Sequence, residues 1–324
     1  MPGRFMNLNF HGAGKLTGED VRLKEAAIDS KLVSSDAMDE AAPKKFFDDN
    51  RDVLLRPKDA KPDDATGMQI VSSAKGDVVT MNRVGREAFA RNGFTKAMTG
   101  WLELLMKVPV DALVLGGHHN KSIVWGSEAW RASQTAPHRP FCALEPLRDP
   151  VRLAVTGYRD LSKPNDLLRA GPVEMTGALS ACKLLIVYGC NGATSQIEKW
   201  SQCIKDVTGS FPFVLGWYGV HGFPVDDRKQ FVSEIFWPEL AKIAPNPNLD
   251  FVLKPEFTQK VLKVWFDACA KAFPAPPKKS KLRDQSHLIF SDFKSDGTPG
   301  PRGAAAIDPS GRQWKATDKT GNFQ

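Results

Sequence analysis

The sequence of 324 residues is poor in cysteine and has no long apolar run. Its five cysteines form no C-x-x-C pair, which argues against a zinc knuckle, and their odd number argues against a complete disulfide framework. No segment approaches the run of about 18 apolar residues that a membrane span needs, and the first residues carry no apolar signal core. We therefore expect a cytoplasmic protein with no membrane partner and at least one free thiol.

Basic residues outnumber acidic ones, 44 to 37, and the formal net charge is +7. The lysines and arginines are scattered among the acids, and no arginine stripe alternates with aromatic residues. This pattern is typical of a generally basic surface. Nucleic acid is therefore not an expected partner.

The composition divides the chain into three parts. Residues 1–65 are polar, with stretches such as EAAPKKFFDDN, and predict a loosely ordered leader. Residues 66–274 hold the apolar periodic segments and are expected to form the main domain. Residues 275–324 begin with the basic, proline-rich linker APPKKSKLR and are expected to end in a small β appendage.

The main domain alternates between strand and helix patterns. Three continuous apolar runs of strand length predict buried parallel strands: DALVLGG (111–117), CKLLIVYGC (182–190) and FPFVLGWYG (211–219). Apolar residues at helical spacing predict helices over 85–107, 196–207 and 226–243, and two short strands are predicted within 68–73 and 77–81. This order predicts an α/β fold, a three-layer sandwich with a mostly parallel central sheet.

Chemically reactive residues follow two of these apolar runs. The first run ends in Gly116-Gly117-His118-His119-Asn120, and the second ends in Gly189-Cys190-Asn191-Gly192. Ligands of open parallel sheets bind at the carboxyl ends of the strands, so His118 and Cys190 are expected to face one crevice. A thiolate beside an imidazole is the arrangement used for covalent catalysis, and flanking glycines let the backbone approach a substrate carbonyl.

The order of these features resembles the caspase-like (clan CD) cysteine peptidases, which include caspases, metacaspases, legumain, gingipains, separase and the bacterial CHAT domains. In that family an apolar strand ends in Gly-His and a later one in a small residue and Cys, as VLGGH and VYGC do here. The segment VLGWYGVHGFPVDDRKQFVSEIFWPELA is similar to the one that follows the catalytic cysteine in CHAT-type proteins. The resemblance covers about residues 67–245 and implies a caspase-like cysteine endopeptidase.

The resemblance implies a role for each residue of the site. Cys190 would be the nucleophile, forming a thioester, and His118 would be the general acid and base. The backbone N–H groups of Cys190 and His119 would form the oxyanion hole. His119 stands where the family usually has glycine and is the second candidate for the catalytic histidine. Tyr188 stands where members that cleave after basic residues have Asp, so the P1 preference stays open.

The resemblance also implies the partners. A protein or peptide is the expected substrate, and its groove has four candidate wall residues, Trp125, Trp217, Tyr218 and His221. Because such peptidases are commonly held latent, an activating partner or a processing event is a further expectation. The thiol chemistry needs no cofactor and no metal ion.

Two other interpretations remain open. Caspase-like folds also serve as inactive scaffolds, and His119 in the glycine position is compatible with such a binding module. The stretch LLIVYGCNGATSQ also resembles the dinucleotide-binding turn of a NAD-dependent oxidoreductase, with Gly189 and Gly192 in place. This last alternative is weaker, because no acidic residue ends the following strand, FVLGWYG, where ribose recognition needs one.

Overall fold

The computed structural model describes most of the chain, with the backbone alone described between residues 118 and 172. The described residues are 2–9, 17–59, 67–81, 84, 88, 91–116, 118–120, 123–125, 138–139, 143–147, 152–160, 167–188, 197–217, 232–272 and 304–315. The helices are α1 (Thr17–Asp29), α2 (Ala41–Asp49), α3 (Arg51–Leu54), α4 (Phe94–Leu105), α5 (Thr176–Leu179), α6 (Ile197–Thr208), α7 (Val232–Ile243) and α8 (Thr258–Ala272). Short 3₁₀ turns cover Ala37–Asp39, Asp250–Leu253 and Pro255–Phe257.

The strands begin with the N-terminal residues and continue almost to the end of the chain. They are β1 (Gly3–Asn9), β2 (Val33–Asp36), β3 (Gln69–Val71), β4 (Val78–Thr80), β5 (Ala112–Gly116), β6 (His118–Asn120), β7 (Ile123–Trp125), β8 (His138–Arg139), β9 (Ala143–Leu147), β10 (Arg152–Asp160), β11 (Leu167–Glu174), β12 (Leu184–Tyr188), β13 (Phe213–Trp217), β14 (Ala304–Ile307) and β15 (Gln313–Lys315).

The central sheet has seven of the described strands, in the order β15-β14-β13-β12-β5-β1-β2. The five strands from β2 to β13 run parallel, and β14 and β15 add antiparallel pairs at one edge. Helices cover both faces of this sheet, so the prediction of a three-layer α/β sandwich is confirmed. The three apolar runs are the neighbouring strands β5, β12 and β13, as their continuous hydrophobicity predicts for strands that are buried on both faces.

Side chains alternate between the two faces along each central strand. In β1, Met6 and Leu8 belong to the core under α4, α5 and α6, whereas Phe5 belongs to the core under α1, α7 and α8. In β12, Leu185 and Ile186 divide between the two cores in the same way. The sheet therefore separates two hydrophobic cores, and each has its own set of helices.

The loosely ordered leader predicted for residues 1–65 is wrong for the described part of that range. β1 lies inside the central sheet, paired with β5 on one side and β2 on the other. Helix α1 packs on this sheet, and α2 packs on α4, with Phe47 in T-shaped contact with Trp101. The N-terminal residues are thus part of the main domain. Likewise, β14 and β15 are edge strands of the central sheet and do not form a separate appendage.

A second, antiparallel sheet connects β5 with β12. Its described strands have the order β11-β10-β9-β7-β6, and β8 pairs with β10. His118 and Cys190 are 72 residues apart, which leaves room for a helical crossover, but the only described helix of this connection is the single turn α5. The difference follows from the pairing, because antiparallel hairpins depend on partners that a local apolar pattern does not identify.

The helix predicted over 85–107 begins later in the described part of that range. Gly93 has φ +82°, a left-handed conformation that cannot continue a right-handed helix, and α4 starts directly after it. The predicted apolar face of this helix is confirmed for Phe94, Met98, Trp101, Leu102 and Leu105, which are buried.

Helix α1 is held against the β3–β4 hairpin by a buried lysine. Lys24, on α1, has a side chain that is only 1% exposed, and its Nζ donates to Asp39 Oδ2 at 2.7 Å and to the Asp77 carbonyl at 2.7 Å. Asp36 Oδ2 lies 3.5 Å from the same ammonium group. We call these four residues the Lys24 cluster. It ties α1, β2 and the hairpin together, since each of its members comes from a different segment.

We expect Asp36 to make the protein less stable as the pH rises. Burial raises the pKa of its carboxyl to about 6, against the lowering effects of Lys24 and the Met38 N–H. Between about pH 4 and 6 the unfolded chain has released this proton while the folded protein keeps it, so the unfolded state binds fewer protons and stability falls. The contribution is up to about 3 kcal/mol.

The Asp36→Asn variant isolates this effect, because its amide does not titrate and keeps an oxygen for the Met38 N–H. Urea unfolding of both proteins at several pH values gives the free energy of unfolding of the wild type minus that of the variant. This difference is expected to fall from pH 4 to 7. A difference that rises with pH would mean that the ion pair with Lys24 outweighs burial.

Candidate functional site

The carboxyl ends of the parallel strands are aligned across the centre of the sheet. Asn9 of β1 pairs in register with Gly116 of β5, which in turn pairs with Tyr188 of β12. β13 continues this edge and ends at Trp217. The expectation that β5 and β12 are neighbours is therefore confirmed, and their last residues lie side by side.

The two candidate histidines begin the second sheet. The sequence predicts that they follow β5 in a strand-end loop, but His118 and His119 are the first residues of strand β6. β6 pairs antiparallel with β7, so that His118 lies opposite Trp125 and His119 lies opposite Val124. Trp125, a candidate groove residue, is thus the cross-strand partner of the preferred catalytic histidine.

The other candidate residues are only partly placed. Trp217 is the last residue of β13, and its backbone pairs in register with Ala304 of β14. Cys190, Tyr218 and His221 lie outside the described residues. Between the last described residue of β12, Tyr188, and Cys190 there is one residue, as there is between Gly116 and His118.

The thiols that the structure describes are poor nucleophiles. Burial and the nearby Asp111 raise the pKa of Cys182 to about 12, and burial and Asp206 raise the pKa of Cys203 to about 11. Cys269 is buried in the core under α7 and α8. Because the thiolate is the reactive form, none of these three side chains is suited to attack a substrate at neutral pH. Cys182 and Cys269 pack in the two hydrophobic cores.

A cavity lies beside the same edge, between the sheet and helices α1, α7 and α8. Its floor includes Val114 and Gly116 of β5 and Ile186 of β12, so it extends to the carboxyl ends of the central strands. Most of its other walls are the apolar side chains of α7 and α8, including two tryptophans, Trp237 and Trp265.

Four buried polar side chains also line this cavity. Asn7, on β1, is 7% exposed, and its Nδ2 donates to Asp20 Oδ1 at 2.8 Å. Glu19 and Asp20, in the first turn of α1, are 3% and 1% exposed, and Ser233, in the first turn of α7, is 7% exposed. Asn7 Oδ1 and Ser233 Oγ have no hydrogen-bond partner in the structure. Such groups are rare in native proteins and call for a specific explanation.

This polar group was missed because it comes from the segment that composition assigns to a leader. One signal was available in the sequence: MNLN (6–9) alternates apolar and polar residues over four positions, which is typical of a strand with one polar face. The acidic pair Glu19-Asp20 is also typical of a helix N-terminus. Together these patterns indicate a strand, a turn and a helix, with polar side chains at the carboxyl end of the strand.

The opposite edge of the sheet also carries a charged group, and its charges are satisfied. Lys183 lies at the amino end of β12, and its Nζ is 2.7 Å from Asp111 Oδ2 and 2.6 Å from Asp250 Oδ1. Hydrogen bonds from these partners raise the pKa of Lys183 although burial lowers it. The backbone of Asp111 also joins β1 and β12, so this group has a structural explanation.

Comparison with known proteins does not identify a relative: no family model, no curated protein and no solved structure matches the chain. Among the residues that the structure describes, no helix has the length and apolar character of a membrane span. The site must therefore be interpreted from its own residues.

Proposed function

We propose that the protein is a cysteine endopeptidase with Cys190 as nucleophile and His118 as general acid and base. The observation that carries the proposal is the register of Gly116 with Tyr188 on neighbouring parallel strands. His118 lies two residues after Gly116, and Cys190 lies two residues after Tyr188. Each step is at most about 7 Å of extended chain. This register supports a thiol and an imidazole acting at the same part of the sheet edge.

The reaction takes place in two steps. In the first, Cys190 Sγ attacks the peptide carbonyl carbon, the C–N bond breaks, and His118 delivers a proton to the leaving amine. In the second, His118 accepts a proton from a water molecule, which attacks the thioester and releases the acid and the free thiol. The backbone N–H groups of Cys190 and His119 stabilise the negative oxygen in both steps.

The other thiols support this assignment by contrast. Cys182 and Cys203 have raised pKa values, and Cys269 is buried in the core, so none of them competes as the nucleophile. Trp125 lies opposite His118 across the β6–β7 hairpin, where it can line a groove for an extended peptide. An aromatic wall at this position would suit the binding of a peptide chain.

The experiment is covalent labelling with peptidyl acyloxymethyl ketones that carry Asp, Arg, Lys or Leu at P1. Intact-protein mass spectrometry and peptide mapping are expected to show one adduct, on Cys190, with one type of P1 residue. His118→Ala is expected to slow this labelling by about 10²-fold. Cys203→Ala is the matched control, since it removes a partly exposed thiol and is expected to leave labelling unchanged. Equal labelling of Cys203 and Cys190 would contradict the proposal.

A further inference from the structure

The buried polar cavity lies where the strand order of the sheet reverses. From β1 the chain proceeds outward to β2, then returns to place β5 on the other side of β1. In open parallel sheets, ligands bind at the carboxyl ends of the strands at such a reversal. The cavity is lined by Asn7 on β1 and Gly116 on β5, the two strands on either side of the reversal.

The cavity contains hydrogen-bonding atoms that the protein does not satisfy. Asn7 Oδ1 and Ser233 Oγ line it, lack a partner and belong to side chains that are more than nine-tenths buried. Burying such groups is unfavourable unless a ligand or an ordered water completes their hydrogen bonds. Both atoms can accept a hydrogen bond, as can the carboxylates of Glu19 and Asp20 beside them.

The local charge decides which kind of ligand these acceptors suit. The N-termini of α1 and α7 both contribute first-turn residues to the cavity and would each favour an anion, with an effective charge of about +0.5. Glu19 and Asp20 add two carboxyl groups beside these helix ends, and a bound cation would favour their ionised form. Among the described residues that line the cavity, none is Lys, Arg or His. A ligand with N–H donors and a positive charge matches this environment.

We propose that this cavity binds a primary alkylammonium group. Its N–H donors would be accepted by Asn7 Oδ1, Ser233 Oγ and the Asp20 carboxylate, and its alkyl part would lie against Val114, Ile186 and the ring of Trp265. The indole N–H of Trp237, which also lines the cavity, is buried without a hydrogen-bond partner in the structure and is not used by this group.

The inference does not depend on the thiol chemistry. The ammonium group can belong to a free amine or to a lysine side chain of a peptide, and two pairs of probes distinguish these sources. The first pair is n-butylamine and its neutral isostere n-butanol. The second pair is the N-acetyl, N-methylamide derivative of lysine and the same derivative of norleucine. All four are titrated calorimetrically into the full-length protein and into its variants.

The charged member of at least one pair is expected to bind saturably. Its neutral partner is expected to bind at least about 10-fold more weakly, because it cannot form the charge-assisted hydrogen bond. Binding of butylamine alone would assign the site to a free amine. Binding of the lysine derivative alone would assign the site to a peptide side chain. Binding of both would show that the ammonium group is the only requirement for binding. Each of these results supports the ammonium site.

Two variants test the residues. Asp20→Asn is expected to lower the affinity by about 10-fold or more, while its amide oxygen can still accept from Asn7 Nδ2. Ser233→Ala is expected to lower it by a few-fold and serves as the second variant if Asp20→Asn does not fold. Glu239→Gln, which makes the same change of charge at an exposed position of α7, is the control and is expected to bind normally.

Three results would overturn the inference. They are the absence of saturable binding by either charged probe, equal binding of the charged and neutral members of both pairs, and unchanged affinity in folded Asp20→Asn and Ser233→Ala. Circular dichroism and thermal unfolding identify the variants that are folded. Because Cys190 takes no part in this experiment, its outcome is separate from that of the labelling experiment.

Discussion

Cys190→Ala is expected to lower kcat/KM for peptide hydrolysis by about 10³-fold or more, because it removes the atom that forms the thioester. His118→Ala is expected to lower it by about 10²- to 10⁴-fold, the usual contribution of a positioned general acid and base. The measurement uses a fluorogenic peptide whose P1 residue is the one preferred in the labelling experiment. Circular dichroism shows whether each variant keeps the fold.

His119→Gly is the matched control for this prediction. If His119 contributes only its backbone N–H, the glycine variant keeps the oxyanion donor and its activity stays within about 10-fold of the wild type. If His119→Gly lowers kcat/KM as much as is expected for His118→Ala, His119 is the catalytic histidine. Full activity in Cys190→Ala would instead exclude the thiol mechanism and favour the interpretation as a binding scaffold.

Lys24→Met is expected to destabilise the protein by about 3 kcal/mol. The variant keeps an apolar stem of similar length but removes the ammonium group from the Lys24 cluster, whose Asp36 is buried. Two hydrogen bonds at 2.7 Å are lost with it, to Asp39 and to the Asp77 carbonyl that anchors the β3–β4 hairpin. The free energy of unfolding in urea at pH 7 measures the effect.

Lys45→Met is the control, since Lys45 forms an exposed ion pair with Asp49 on α2. Pairs of this kind contribute little, and its effect is expected to stay below about 0.5 kcal/mol. If Lys24→Met were as mild as this control, the cluster would not contribute to the attachment of α1. The double variant Lys24→Met/Asp36→Asn is expected to lose less than the sum of the two single changes, because both remove the same ion pair.

The parts of the fold that could be predicted are those that depend on local patterns. The strands β5, β12 and β13 are fully buried, so each appears as a continuous apolar run. The buried face of α4 follows the helical period for the same reason. Their adjacency, and with it the proximity of the segments leading to His118 and Cys190, follows from the rules for parallel sheets.

The parts that could not be predicted depend on residues that are distant in the chain. β1 carries Asn7 on the face that holds the cavity, so its sequence is not a continuous apolar run although it lies inside the sheet, between β5 and β2. The second sheet forms by antiparallel pairing over long connections, and composition says little about such partners. The Lys24 cluster is charged, and a prediction from composition places charged side chains at the surface.

The two edges of the central sheet have a consequence for the behaviour of shortened chains. Both edge strands are short, with four residues in β2 and three in β15, and the exposed side chains of β15 are Gln313 and Lys315. Edges of this kind offer little template for a strand of another molecule. A chain cut before Ala304 would lose β14 and β15 and leave the apolar β13 as a free edge. Such a chain is expected to self-associate through this strand. The β14–β15 hairpin therefore protects the sheet from aggregation at this edge.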